Sequence, residues 1–226
     1  EELTAVLESM GEPKFRARQI YRAVMRYKTF DEMTDLPKAL REKLGERFID
    51  RALTIRKTFV SKDGTINFLF ALADGNIIEG VLMKYKYGNT QCVSTQVGCR
   101  MGCAFCASGI GGLVRNLTGG EILTEVLAVN AFLGGTPEDR QVTNIVLMGS
   151  GEPLDNYEET LRFLRAVTDA EGPNVSARNI SLSTCGLVPE ILRLSEEGIS
   201  LNLTISLHNP FDEERRELMP IGKKYT

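Results

Sequence analysis

The sequence contains no run of 18 or more apolar residues, so it offers no candidate for a membrane-spanning helix. Its first ten residues, EELTAVLESM, are acidic and amphipathic and lack the basic and apolar regions of a leader, which makes a cytoplasmic location the expectation. Positive charge is not in excess. The net charge of −3 excludes a global basic footprint for nucleic acid and confines any RNA contact to a local patch. Cysteines are few and odd in number, five, and three of them crowd into eight positions, which disfavours a framework of disulfide staples and suits a reducing compartment. Repeats and low-complexity tracts are absent.

What remains is ordinary for a folded protein. With 42% hydrophobic and 25% charged residues over 226 positions, the chain can bury the core of one large domain, or of one domain with a small appendage. It starts at Glu1 instead of Met and stops at Thr226 in LMPIGKKYT, with no closing helix or strand in view, so a fragment is expected.

Three textures follow one another. Residues 1–50 read as a small helical module: in 13–27 Phe15, Ile20, Ala23, Val24 and Tyr27 recur at helical spacing, and a second helix starts near Pro37. Arg18, Arg22 and Arg26 form a stripe on the other face of the first helix, either a solvated face or an RNA contact. Residues 51–90 are a β-rich connecting segment, with strands over 54–60, 66–72 and 77–83 broken by KDGT, ADGN and KYGN, and a fourth over 91–95. Residues 91–226 then alternate: a helix opened by the Thr118–Glu121 capping pattern runs to about 133, followed by a strand 142–149, a helix 156–169, a strand 179–184, a helix 187–197 and a strand 200–208. That alternation implies parallel βαβ units, in which ligands sit at the carboxyl ends of the strands.

Every candidate group falls on that one rim. The loop GCRMGCAFCASG with Cys99, Cys103 and Cys106 follows the strand 91–95, GSGEP with Glu152 follows the next, STCG with Ser183 the next, and LHNP with His208 the last. A structural zinc needs four ligands, and no second Cys-x-x-Cys occurs, although Cys92, Cys185 or His208 could complete the set. A redox pair of Cys103 and Cys106 leaves Cys99 unexplained. A 4Fe-4S cluster on three thiolates uses all three and leaves one iron open to a ligand. Gly98 and Gly102 allow a tight loop, and Phe105 sets an aromatic face beside the third thiol.

Cys-x-x-x-Cys-x-x-Cys with an aromatic before its last cysteine resembles the signature of radical S-adenosylmethionine (SAM) enzymes. CVSTQVGCRMGCAFCASG, RNLTGGEI, MGSGEPLDNY, STCG and ISLHNPFDEERRELMPI, in that order, resemble more closely the RlmN family of adenine-carbon-2 RNA methyltransferases, over a span from the helical module to the last residue. The resemblance implies an α/β fold, a partial (βα) barrel of the radical SAM type. It makes Cys99, Cys103 and Cys106 the ligands of a 4Fe-4S cluster. Gly151, Glu152, Ser183, Ser206, Leu207, His208 and Phe105 become contacts of SAM, Glu79 of NIIEGVLMKY a general base, and Cys92 a resolving thiol. The implied substrates are 23S rRNA and tRNA, the electron donor a flavodoxin or ferredoxin, and the assembly state a monomer. In the implied mechanism one SAM methylates a cysteine of the enzyme, a second provides the radical that activates this methyl group, and the activated methyl adds to carbon 2 of adenine. Glu79 then removes the carbon-2 proton, and Cys92 attacks the methyl-bearing sulfur, so a disulfide bond also belongs to the expectation. The family's methyl-carrying cysteine lies beyond the LMPI motif, and the STCG context of Cys185 matches a SAM turn instead, so this chain alone is expected to be inactive. Two alternatives stand beside this. A Cfr-like branch, which modifies carbon 8, tends to GEA where Pro153 makes GEP here. A zinc-stabilised RNA-binding protein without catalysis would use the arginine stripe with Lys84, Lys86, Arg100 and Arg115 on phosphates.

Overall fold

The structure, a computed structural model, describes residues 2–226. Three short helices come first, α1 (Glu2–Ser9), α2 (Phe15–Val24) and α3 (Lys38–Arg47). Their inward positions, among them Leu7, Ile20, Leu40 and Leu44, form a small core of their own with Met33 of the connection between α2 and α3. Helices of this length are marginal in isolation, so that shared core is what holds them.

Alternation governs the next segment. β2 (Ile66–Leu72) buries every second residue of INFLFAL, and it pairs antiparallel with β1 (Leu53–Val60) on one side and β3 (Ile77–Tyr85) on the other. Positive φ angles at Gly64 and Gly75 make the two connecting turns. β4 (Gly88–Val93) is the pivot of the molecule, antiparallel to β3 and parallel to β7 (Val142–Leu147). Before β7 come a two-stranded ribbon, β5 (Gln96–Gly98) with β6 (Leu113–Asn116), and the helix α4 (Gly119–Phe132). After it α5 (Tyr157–Thr168), β8 (Ile180–Thr184), α6 (Val188–Glu196), β9 (Asn202–Ile205) and α7 (Asp212–Leu218) follow in turn. The strand order β1-β2-β3-β4-β7-β8-β9 gives one seven-stranded sheet whose second half is parallel and sequential, as the α/β reading with a partial barrel requires.

One continuous core lies between this sheet and α4, α5 and α6, with Phe68, Phe70, Phe163, Ile145 and Leu182 fully buried. Each such side chain contributes about 1.5–3 kcal/mol of burial. The capping box expected at α4 is formed: Thr118 Oγ1 accepts the Glu121 N–H at 3.1 Å, and the Glu121 carboxylate accepts the Thr118 N–H at 2.8 Å. β9 departs from expectation. It is four residues long where nine were read, and all four are exposed, because it pairs with β8 alone among the described residues.

The arginine stripe of α2 meets carboxylates. Arg18 forms a two-pronged pair with Glu171, Arg22 approaches the same carboxylate at 3.8 Å, and Arg26 pairs with Glu138. Tyr21 donates to Asp169 at 3.0 Å between them. The stripe therefore docks the helical module onto the loops that follow α4 and α5.

Candidate active site

The carboxyl ends of β4, β7, β8 and β9 converge on one cleft of about 270 Å³. Cys99, Cys103 and Cys106 line it from the ribbon side, with Glu152 and Gly151 at the end of β7, Ser183 at β8, and Ser206 and His208 just beyond β9. The cysteine loop is closed at its base by backbone: the Cys99 N–H donates to the Gly112 carbonyl at 3.1 Å, and Gly98, at φ 76°, leaves no room for a Cβ, which would lie 2.0 Å from that same oxygen. At its tip the Ala104 N–H donates to the Leu218 carbonyl at 2.8 Å, which ties the loop to the end of α7.

Glu152 is buried at 5% exposure and held on both sides. Its Oε1 accepts the Leu154 N–H at 3.1 Å and its Oε2 the Cys185 N–H at 2.8 Å, while its own N–H donates to Gln96 Oε1 at 2.9 Å. A buried carboxylate fixed by backbone donors, with no cation among those partners, is suited to a cationic ligand. Gly149 and Gly151 let the end of β7 pack tightly against the β4–β5 segment, since a Cβ at either would come within 2.7 Å of it. Across the cleft the Ser183 and Ser206 hydroxyls stand 3.2 Å apart. The rings of Phe105 and His208 lie 4.2 Å apart at a tilt of 42°, and His208 sits at φ 58°, a left-handed conformation uncommon for a side-chain-bearing residue. Leu207 differs from expectation: its side chain is exposed and does not line the cleft, while its carbonyl accepts from Arg215 Nε at 3.2 Å.

The donor set fits an iron-sulfur cluster better than a single ion. Burial raises the Cys99 and Cys103 thiols, and the charge of Cys106 adds to both, so the three sulfurs lie close enough to sense one another. Among the described residues, however, no three His, Cys, Asp or Glu side chains gather as a single metal ion would need. Zinc draws its ligands to about 2.0–2.3 Å, whereas a cubane takes thiolates at separate corners of a larger body.

Glu79 and Cys92 stand on one face of the adjoining strands. β3 and β4 pair Val81 with Cys92, and Glu79 lies two residues along β3, so both side chains leave the sheet on the same side. Ser94, just past β4, locks this corner: its Oγ donates to the Glu79 carbonyl at 2.8 Å and accepts the Ser150 N–H at 3.0 Å. Burial pushes the Cys92 thiol up to about 11, against the Met148 N–H directed at it. All five cysteines are free thiols, so no disulfide joins Cys92 to any of the other four.

Sequence reasoning missed two supports of the site. Gln96 bridges Glu152 and Asp155, and Asp155 in turn pairs with Arg100 of the cysteine loop, with Nε at 3.1 Å. Arg215, only 8% exposed, donates to the carbonyls of Cys185 at 2.8 Å and Leu207, which fixes the ends of β8 and β9 relative to each other. A short Gln-Val-Gly strand and a run of mixed charges carried no sign of either. No helix among the described residues is long and apolar enough to cross a membrane.

Comparisons with known proteins agree with this geometry. The Radical SAM superfamily profile matches residues 93–226, and the profile of the ribosomal RNA large subunit methyltransferase N-terminal domain matches residues 1–49. A probable dual-specificity RNA methyltransferase RlmN of Alkaliphilus metalliredigens is 53% identical over all of this chain, which covers 63% of that protein. Its counterpart in Alkaliphilus oremlandii is 52% identical over 99% of the chain, covering 64% of that protein. The crystal structure of a radical SAM methyltransferase from Sphaerobacter thermophilus superposes with a TM-score of 0.93 at 45% identity, over 99% of this chain and 66% of that one. The chain thus spans a little under two thirds of the length of the curated relatives it matches. Three thiols, a buried carboxylate and a pair of hydroxyls on one parallel-strand rim, with these matches along the whole length, show that the chain belongs to the radical SAM superfamily and, within it, to the RlmN family.

Proposed function

We propose that this chain carries the cofactor-binding core and two reacting groups of a radical SAM methyltransferase that adds a methyl group to carbon 2 of adenine in 23S rRNA and in tRNA, through a methyl-cysteine and a covalent RNA intermediate. The observation that carries the proposal is the convergence of Cys99, Cys103, Cys106, Glu152, Ser183, Ser206 and His208 on one cleft, beside a sheet face that bears Glu79 and Cys92. When bound, a 4Fe-4S cluster with SAM would supply the one-electron chemistry that an ordinary methyl transfer to an electrophilic carbon lacks.

The chain's residues divide the remaining work. Cys99, Cys103 and Cys106 would hold the cluster, and Glu152 would receive the SAM ammonium on lone pairs that its backbone donors leave free. Ser183 and Ser206 suit hydroxyl groups of a ribose, and Phe105 with His208 forms a wall of rings. Glu79 removes the carbon-2 proton. Cys92 releases the product, and because its thiol is raised to about 11, it is protonated at neutral pH and must lose its proton before it attacks. A flavodoxin or ferredoxin supplies electrons, and the protein works as a cytoplasmic monomer.

The methyl-carrying cysteine of the family matches none of the five cysteines here, so the 226-residue chain binds its cofactors without methylating RNA. The test is mass spectrometry of RNA treated with SAM, reductant and a protein that restores the family's full length. Methyl on carbon 2, absent in Glu79→Gln and trapped as a protein–RNA adduct in Cys92→Ala, is the expected result. Methyl on carbon 8, or full turnover by the 226-residue chain, would overturn it.

A further inference from the structure

The open side of the antiparallel strands has the chemistry of a docking surface. α4 and the core cover one side of β1, β2 and β3, where Phe68, Phe70, Ile78 and Leu82 are buried. Register places Lys57 opposite Leu69 and Phe59 opposite Asn67 on the other side, and alternation along β3 adds Glu79, Val81, Met83 and Tyr85 to it. This is the side that carries Cys92. It runs about 20 Å from Glu79 to Tyr85.

Aromatic rings and lysines stand on it. Phe59 is 47% exposed, with Lys57 Nζ 4.7 Å from its ring centre. Tyr85 donates to the Met83 sulfur at 3.4 Å, so it lies along the face, and Tyr87 stacks on it at 5.0 Å with 72% of its own surface exposed. Lys86, next to Tyr87 in the turn after β3, flanks the pair, whereas Lys84 alternates with Leu82 onto the covered side of the sheet. Among the described residues neither Lys57 nor Lys86 has a carboxylate within 4 Å, in contrast to Arg18, Arg22, Arg26, Arg100 and Arg115, which all do. Asn67 Oδ1, buried on this face, also lacks a donor.

We infer that this open sheet face is where the RNA strand flanking the target adenine docks, with its bases on Phe59 and Tyr87 and its phosphates at Lys57 and Lys86. Exposed rings interleaved with unpaired lysines match the two recurring contacts of single-stranded nucleic acid, stacking and phosphate neutralisation. A purely apolar occupant would leave two ammonium groups without a counter-charge, and an acidic protein segment would leave the ring faces unfilled. Continuity with Glu79 and Cys92 gives the strand a path into the cleft. The inference rests on the proposed RNA reading and deepens it.

The test uses the 226-residue chain and a fluorescein-labelled RNA hairpin with an unpaired adenine in its loop, read by anisotropy across a salt series. Phe59→Ala with Tyr87→Ala should weaken binding by roughly tenfold, and Lys57→Glu with Lys86→Glu should do the same while reducing the salt slope by about 2. Arg18→Ala with Arg22→Ala should stay within about twofold. A 5-iodouridine version of the hairpin should crosslink to the segments around Phe59 and Tyr87. Sheet variants that bind like the parent, crosslinks confined to other segments, or a parent without salt-dependent binding would each overturn the inference. So would protection of Lys57 and Lys86 from acetylation in a full-length protein before RNA is added, which would mean that the protein covers its own sheet. Iron content and SAM binding of the same variants, which should be unchanged, test the underlying reading separately.

Discussion

The α2 face and the open face of β1 to β3 both present cationic side chains, but one is closed against the rest of the molecule and the other faces outward. On α2, Arg18 and Arg22 converge on Glu171, and just past its end Arg26 reaches Glu138, so the charge joins the helical module to the sheet. On the strands, Lys57 and, in the turn after β3, Lys86 stand beside Phe59, Tyr85 and Tyr87 without an ion-pair partner among the described residues. The guanidinium fork suits a fixed carboxylate across an interface, whereas the ammonium of lysine keeps its hydration and its freedom. A charge stripe at helical spacing thus marks a face without saying what that face meets.

Charge reversal is the strongest way to break this comparison. Arg18→Glu with Arg26→Glu sets like charges against Glu171 and Glu138 at the contact that joins the helical module to the sheet, and should lower the Tm by about 5 °C. Lys57→Glu with Lys86→Glu should leave it within about 2 °C, since no pair is lost. Differential scanning fluorimetry reads both, and equal shifts would remove the distinction between the two faces.

A smaller effect sharpens it. Glu138 and Glu171 meet arginines, but Glu125 on α4, fully buried behind β4, meets only the Ser94 N–H at 3.2 Å and leaves its Oε1 without a partner. Burial raises its pKa well above the ordinary 4.5, with the charge of Glu121 acting in the same direction. The folded protein therefore keeps a proton that the unfolded chain releases above about pH 4.5. Stability from this neutral form is full below that pH and declines as pH rises towards the folded-state pKa. Glu125→Gln, which cannot ionise and keeps an acceptor for Ser94, should flatten the decline in denaturant midpoints measured from pH 5 to 9. A slope identical to the parent's would show that Glu125 is ionised in the folded protein.

Much of the scaffold was legible because period and punctuation agree. INFLFAL alternates and becomes β2, the Thr118–Glu121 spacing becomes a capping box, and the polar residues that follow the strands stand together around the cleft. What stayed hidden depends on distant partners. The ribbon of β5 and β6 is too short to show a period, and its register rests on residues on either side of the cysteine loop. Residues 200–208 alternate like a strand, but one neighbour sustains only Asn202–Ile205. Leu207 sits between two cleft residues and points outward, as alternation at a strand's end allows. The carboxylates that meet Arg18 and Arg26 are more than 100 positions away in the chain, so no local spacing could have paired them.

The central claim is that the rim holds an open-site cluster on three thiols. Anaerobic reconstitution of the 226-residue chain with iron and sulfide, followed by metal analysis and absorption and electron paramagnetic resonance spectra with and without SAM, tests it most directly. The account predicts about four iron atoms per chain, a brown chromophore lost in Cys103→Ala, and a signal that SAM perturbs in the parent but not in Glu152→Ala. A colourless protein that binds one zinc per chain, or a chromophore that survives Cys103→Ala, would contradict it.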